Sequence, residues 1–375
     1  MISVIKGSLG DSAVLPERLA IMGRPNKSGD DEQEREVISL MPRYDFASDN
    51  TAPAAPEAMA ALTAANTGFA PGYGSDTTSA RAADLIRAML DADAEVRFVA
   101  SGTAANAISL AALCRPFEAV LAHEHAHVCT DETGAPGLFG HGLGLIGLPG
   151  ASGKIDPDAL TEQLAAADVS HRQSPAALSL TNATEYGTVY SIDQLRTLIQ
   201  PVKVKGYGIH LDGARLANAA AAGFDLKAIA GLGVDILVVG GTKAGMPPTE
   251  AMVIFDRTLA RRFDARLKQG GQLPSKGRFY AAPFIGMLED GAMLTHAAHA
   301  NAMATKLAAL MPFRVTHPVE ANAVFVEMDA PRLATLQGAG WFVYRFLDGS
   351  VRFMCSWATT DAAVEEIAET LRRIA

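Results

Sequence analysis

Apolar residues along this chain fall in short unbroken runs that stop abruptly at glycine and polar residues. Two such segments organise the rest: Gly206-Tyr-Gly-Ile-His-Leu-Asp212-Gly-Ala-Arg215-Leu-Ala-Asn218 and Gly233-Val-Asp-Ile-Leu-Val-Val-Gly240-Gly-Thr-Lys243-Ala. Runs of this kind predict strands covered on both faces. Residues 214–223 and 225–231, between them, read as helical. The resulting strand-helix-strand unit makes the two strands parallel, so Asp212 and Lys243 both emerge at carboxyl ends, where open α/β sheets bind ligands.

The same alternation extends over most of the chain. Residues 56–66 predict a helix with proline in its first turn. A glycine-punctuated loop, Pro71-Gly-Tyr73-Gly74-Ser-Asp76, leads into an amphipathic helix over 78–90. Strands are predicted at 96–100, 119–122, 176–181 and 251–255, and helices at 104–113, 156–167, 192–200 and 258–268. Residues 281–310 carry one long helical pattern joining two domains. The remainder alternates strand and helix (323–327, 331–338, 350–355, 361–374), the pattern of a small α/β domain. Residues 44–51 are too polar for a core strand and predict an arm lying across another surface. Before them, the charge-dense stretch 24–36 predicts a mobile N-terminal extension over 1–43, followed by a large domain over 44–290 and a small one over 291–375.

With 375 residues, 49% apolar and 19% charged, the chain can bury a large core and does not resemble a disordered protein. A net charge of −9 argues against a nucleic-acid surface. No run approaches the roughly 18 apolar residues of a membrane span, and no secretory h-region is expected near the start. Three widely spaced cysteines, Cys114, Cys129 and Cys355, form no disulfide framework and point to a cytoplasmic setting.

The chemistry concentrates where strands stop. A lysine and an aspartate at neighbouring strand ends suggest pyridoxal 5'-phosphate, the amine binding its aldehyde and the carboxylate keeping its ring nitrogen protonated. A surface lysine and a helix-capping aspartate would read the same way. Ser101-Gly102-Thr103, between a strand and a helix, forms either a phosphate cup or an ordinary N-cap. His123, His125 and His127 would share a face if their strand continued. No fourth ligand pattern follows, so no metal site is expected; a flat imidazole on a cofactor ring, at His127, fits better. Gly142-Leu-Gly144-Leu-Ile-Gly147 matches a dinucleotide motif by letters but opens no helix. Arg352 lies inside an apolar strand, where a charge should be paired or functional.

In this order and spacing, the motifs resemble the low-specificity L-threonine aldolases. The carriers are Phe46-Ala-Ser-Asp-Asn50, Tyr73-Gly74, Gly102-Thr-Ala-Ala-Asn106, Ala126-His127 and Asp131-Glu-Thr-Gly-Ala135, with Thr184-Glu-Tyr-Gly-Thr-Val-Tyr190, His210–Ala219, Gly240-Gly-Thr-Lys243, Pro318–Asn322 and Arg352–Trp357. The resemblance covers nearly everything from Tyr44 onward. It implies the fold-type-I architecture of pyridoxal-phosphate enzymes: a large domain with a mostly parallel seven-stranded sheet flanked by helices, plus a smaller C-terminal α/β domain. It implies that Lys243 holds the cofactor covalently, Asp212 pairs with its ring nitrogen, His127 stacks on the ring, and Gly102 and Thr103 bind its phosphate. Ser48, Arg215 and Arg352 correspond to residues near the substrate carboxylate and cofactor. Tyr73 and the Lys276 loop resemble parts donated across a subunit interface, implying a homo-oligomer, a dimer of dimers. Two departures stand out. Ala244 replaces the asparagine common after the lysine, and Glu185 stands where some members carry a second active-site histidine. The implied reaction is retro-aldol cleavage of L-threonine, L-allo-threonine and other β-hydroxy-α-amino acids to glycine and an aldehyde. Its rivals are a phenylserine aldolase, a β-eliminating lyase, a racemase, and a non-catalytic protein that kept the fold.

Overall fold

Both organising segments form strands in the middle of one sheet. In the computed structural model, which describes residues 42–166 and 170–375, Gly208–Gly213 (β5) and Ile236–Gly240 (β6) pair in parallel, with Asp212 beside Val238. Ser174–Thr181 (β4), Glu118–His123 (β2) and Gly144–Leu148 (β3) continue the sheet in the same direction on one side. On the other side lie Glu250–Ile254 (β7) and Glu95–Val99 (β1). The order is β1-β7-β6-β5-β4-β2-β3, and only β7 runs against its neighbours. This is the mostly parallel seven-stranded sheet that the resemblance implies.

Alternate residues of β6 show why the run is apolar throughout. Ile236 and Val238 enter one core with Ile108, Met252 and Phe263. Leu237 and Val239 enter another with Ile86, Leu211 and Val253. Each fully buried aliphatic side chain contributes roughly 1.5–3 kcal/mol, and a strand with two wet-free faces has no room for polar residues. The polar groups are therefore pushed to its end, at Thr242 and Lys243.

A second, antiparallel sheet joins Ala323–Val326 (β8), Val351–Met354 (β10) and Tyr344–Arg345 (β9) in the order β8-β10-β9. Val364, Ile367 and Leu371 of the helix Asp361–Ile374 pack with Val324, Val326 and Phe353. The helix Ala292–Leu310 spans two cores, Met293 and Ala297 in that of the large sheet and Met303 and Leu307 in that of the small one. The expected arm is stitched to the small sheet: Phe46 is in its core, Met354 N–H donates to Phe46 O (2.9 Å), and Phe342 N–H donates to Arg43 O (2.9 Å). The expected extension over 1–43 lies outside the described residues apart from its last two. Of these, Arg43 belongs to the folded body, bridging to Trp341 and pairing with Asp45 and Glu366.

Several elements differ from their reading in sequence. Residues 225–231 form two 3-10 turns, Leu226–Ala228 and Ala230–Leu232. The helix expected over 258–268 is two, Arg257–Ala260 and Phe263–Gln269, broken where Arg262 takes φ 62°. The long pattern over 281–310 divides at Gly291, whose φ of 71° the left-handed region allows to glycine at little cost. The helix from Ile192 continues through Pro201 to Val204, and β9 was not legible at all.

One contact fixes the loop after β9 against the large sheet. His317 Nδ1 meets Ser152 Oγ (2.9 Å) and its Nε2 meets Asp348 Oδ2 (2.7 Å), while its ring lies 4.5 Å from that of Tyr186. No helix among the described residues is long and apolar enough to cross a membrane.

Candidate active site

Lys243 sits in a 3-10 turn, Thr242–Ala244, immediately after β6. The turn is closed by Gly245 N–H on Thr242 O (3.1 Å) and by Met246 N–H on Gly241 O (3.0 Å). Gly245 adopts φ 99° and a Cβ there would lie 2.9 Å from the Trp357 ring, so glycine is required on both counts. Lys243, His127, Glu185, Arg215, Arg352 and Ser48 all line one cavity, joined by Asn50, Asp131 and the segment Tyr344–Leu347. Six of the predicted site residues therefore converge. Tyr73 and Lys276 do not line it; both are exposed.

Beneath the cavity, Asp212 is buried at the end of β5. Its Oδ1 accepts Ala214 N–H (2.9 Å) and its Oδ2 accepts Asn106 Nδ2 (2.8 Å). Burial opposes its ionisation, but His210, Lys243 and these donors outweigh it and leave the carboxyl below its ordinary value. His210 is itself pushed down to about 4 by burial. It is therefore uncharged at neutral pH, and Lys243 is the effective cation.

Asn106 also donates to Glu132 Oε1 (2.8 Å), which faces His127 Nδ1 (2.9 Å). A chain His127–Glu132–Asn106–Asp212 thus runs through the protein interior. The hydrogen bond from Glu132 raises the proton affinity of His127 against the opposing effect of burial. Burial raises that of Glu132, whose Oε2 has no partner among the described residues. Neither Glu132 nor Asn106 stood out as a site residue in the sequence. The available signal was a glutamate and an asparagine within motifs flanking His127 and Gly102. The three histidines part company because the strand ends at His123: its Nε2 meets Gly150 O, His125 Nδ1 meets Tyr186 Oη, and His127 begins the short helix His127–Thr130.

Gly102 and Thr103 open the helix Gly102–Leu113, capped by Ser101 Oγ, which accepts Ala104 N–H (3.3 Å). The N-cap reading of this turn holds, the cap taking one donor, and helix geometry leaves the amides of Gly102 and Thr103 outside the ladder. A Cβ on Gly102 would meet nothing within 4 Å, so the turn is open.

The two arginines differ. Arg215 gives Nε and Nη2 to Asp49 Oδ2 and Oδ1 (2.6 and 2.9 Å), and Asn322 Nδ2 supports the same carboxylate (3.1 Å). Its bidentate edge is already taken. Arg352 Nη2 contacts Tyr344 Oη and Ala47 O, its guanidinium carbon lies about 5 Å from the centres of the Tyr344 and Phe346 rings, and its buried Nε has no partner among the described residues. Ser48 Oγ accepts Asn50 N–H (3.2 Å) at the rim.

Burial, reinforced by the Arg215 guanidinium, pulls the Lys243 amine below its ordinary value, while Asp49, Asp212 and Glu250 pull the other way. Glu185, 8% exposed, accepts His127 N–H (2.9 Å) and the Thr181 hydroxyl (3.0 Å) on Oε1 and leaves Oε2 without a partner among the described residues. Burial raises its proton affinity.

Comparison with known proteins agrees with this geometry. A family model described as beta-eliminating lyase matches residues 45–331. A low specificity L-threonine aldolase from a Pseudomonas species is 44% identical over 88% of this chain and 97% of its own length. One from Pseudomonas aeruginosa is 43% identical over the same shares. The solved threonine aldolase of Leishmania major superposes with a TM-score of 0.83 at 31% identity, covering 89% of this chain and all of that one. With a family model spanning most of its length and relatives matched nearly end to end, this chain belongs to the beta-eliminating lyase family, beside the low-specificity L-threonine aldolases.

Proposed function

We propose that this chain is a pyridoxal-phosphate-dependent lyase that cleaves L-threonine, L-allo-threonine and related β-hydroxy-α-amino acids to glycine and an aldehyde. The observation that carries this reading is the convergence of Lys243, His127, Glu185 and Arg352 on one cavity with Asp212 buried beneath it. The donor set fits the cofactor: a depressed amine at a strand end, a carboxylate held ionised, an open helix N-terminus and a half-exposed imidazole. Lys243 would hold the cofactor, Asp212 its ring nitrogen, His127 its ring face, and Gly102 and Thr103 its phosphate. Pyridoxal phosphate, when bound, supplies an electron-accepting ring conjugated to the substrate Cα.

Arg352 is the better carboxylate anchor, because its Nε is buried and unpaired whereas the Arg215 edge is committed to Asp49. Arg215 contributes by holding Asp49 and, through it, the Ser48 turn. Glu185 Oε2 takes the β-hydroxyl proton as the Cα–Cβ bond breaks. Its oxygen is unpartnered, it lines the cavity, and its raised proton affinity makes it a stronger base once ionised.

Glu185→Gln is therefore expected to lower kcat by roughly 10²–10⁴-fold. The folded carboxyl titrates above its usual range, so wild-type activity should rise with pH through that raised value, and the glutamine variant should lose this limb. A rate profile with an unchanged acid limb in the variant would assign the base elsewhere.

Tyr344, Phe346 and Leu347 give the cavity an apolar side, which favours aromatic β-substituents as well and keeps a phenylserine aldolase as the second reading. Release of glycine with acetaldehyde or benzaldehyde, against pyruvate from serine or cysteine, separates these from a β-eliminating lyase. A colourless protein unchanged by substrate would mark a non-catalytic relative. The exposed Tyr73 and Lys276 loops support a homo-oligomer, a dimer of dimers, and the three free cysteines support a cytoplasmic setting.

A further inference from the structure

Strand β7 carries a carboxylate that the proposed mechanism does not use. Glu250 is 6% exposed, in a strand whose other residues are Ala251, Met252, Val253 and Ile254. It lies opposite Gly240 on β6 and Val99 on β1, at the end of the sheet from which Lys243 projects. Its Oε2 accepts Gly241 N–H at 2.7 Å. That amide precedes the turn carrying Lys243, and the same turn is tied to β7 by Thr242 N–H on Thr249 O (3.1 Å) and Thr249 N–H on Thr242 Oγ1 (3.2 Å). An otherwise apolar buried strand has no need of an acid at its start, and burying one costs free energy unless it serves something.

We propose that Glu250 is a positioning residue for Lys243, fixing the Gly241–Ala244 turn through its acceptor oxygen and setting the proton affinity of the Lys243 amine through its charge. The groups acting on that amine come from every element around it: Arg215 after β5, Asp49 from the arm, Asp212 on β5 and Glu250 on β7. His127 feels the same charge from the opposite wall. Three of these are committed as permanent charges, the Asp49–Arg215 pair and the ionised Asp212. Glu250 differs, since burial pushes its carboxyl up to about 7. Below that range it is neutral and leaves Lys243 to burial and Arg215; above it, it is an anion that favours the protonated amine. The device steadies the lysine charge against rising pH, where the amine must otherwise shed its proton.

The inference rests on Lys243 being the cofactor-holding lysine, and the test separates the two. In the cofactor-free wild-type chain, the rate at which Lys243 takes up an acylating reagent, read by peptide mass spectrometry, should rise with pH and then flatten near pH 7 as Glu250 ionises. In Glu250→Gln, which keeps the acceptor for Gly241 N–H but cannot ionise, labelling should match wild type below pH 6 and exceed it above pH 7. With pyridoxal phosphate bound, the pH midpoint of the visible band should fall by about one unit in the glutamine variant, a tenfold change in proton affinity, and Glu250→Asp should restore most of it. Identical profiles for wild type and Glu250→Gln overturn the proposal, as does a wild-type labelling profile without a break. Loss of the visible band from wild type itself would instead overturn the role of Lys243.

Discussion

Lys243→Ala is expected to yield a folded protein that, supplied with pyridoxal phosphate, shows no visible band from a lysine-bound cofactor and cleaves threonine on the order of 10³–10⁶-fold more slowly than wild type. The magnitude follows from where the residue sits. Lys243 is half-buried at the end of a fully buried strand, and among the described residues no other lysine lines the cavity. Its amine is already depressed by burial and by Arg215, the condition for a lysine that acts as a nucleophile near neutral pH. Folding should suffer little, by about 1 kcal/mol or less. The truncation loses stem packing but also removes the cost of keeping an amine beside a guanidinium. Absorbance spectra, thermal denaturation and assays for glycine and acetaldehyde check all three statements. Normal turnover in the alanine variant would end the assignment.

The strand-end chemistry was legible because burial on both faces leaves polar residues nowhere else to go. Asp212 and Lys243 mark the ends of two buried runs, and a parallel unit must bring those ends together. The connections between polar groups were not legible in that way. Glu132 and Asn106 stand 26 residues apart in sequence and meet at 2.8 Å, a contact set by the packing of one helix against one loop. Nor does Arg215 announce that its fork is filled by Asp49, 166 residues earlier. The resemblance placed both Arg215 and Arg352 near the substrate carboxylate and cofactor, and their different pairing is visible only in three dimensions. Helix ends failed for a local reason. Arg262 and Gly291 interrupt patterns whose apolar spacing reads straight through them, because left-handed backbone leaves no trace in hydrophobic periodicity.

Asp212→Asn is the second large effect, and its cause reaches beyond the lost charge. The buried carboxylate acts on Lys243 through its charge and would pair with the ring nitrogen of the cofactor. Removing the charge that a buried cation is set against costs about 3–5 kcal/mol, which corresponds to a rate loss of roughly 10²–10⁴-fold if it falls on the transition state. The amide also disturbs its neighbours. Its oxygen can accept from Ala214 N–H in place of Oδ1, but its nitrogen then points at Asn106 Nδ2, donor against donor. Asn106 can turn only by presenting its oxygen to Glu132. Glu132 can accept that only by taking a proton, which weakens its hold on His127. The substitution should therefore lower the pH at which His127 titrates, visible in its ring proton resonances, as well as the rate. It should move the acid limb of the rate profile toward lower pH without abolishing it, because the Asp212 charge is one of the causes that raise the Glu185 carboxyl, after burial. The folded Asp212 carboxyl lies below its ordinary value, so whatever it contributes is in place above about pH 4 and fades only as pH falls through its depressed value. The raised carboxyl of Glu185 titrates above that window. Asp212→Asn thus scales the profile down and slides its limb to lower pH, whereas Glu185→Gln removes the limb. If the limb instead vanished with Asp212, the two carboxyls would have to exchange roles.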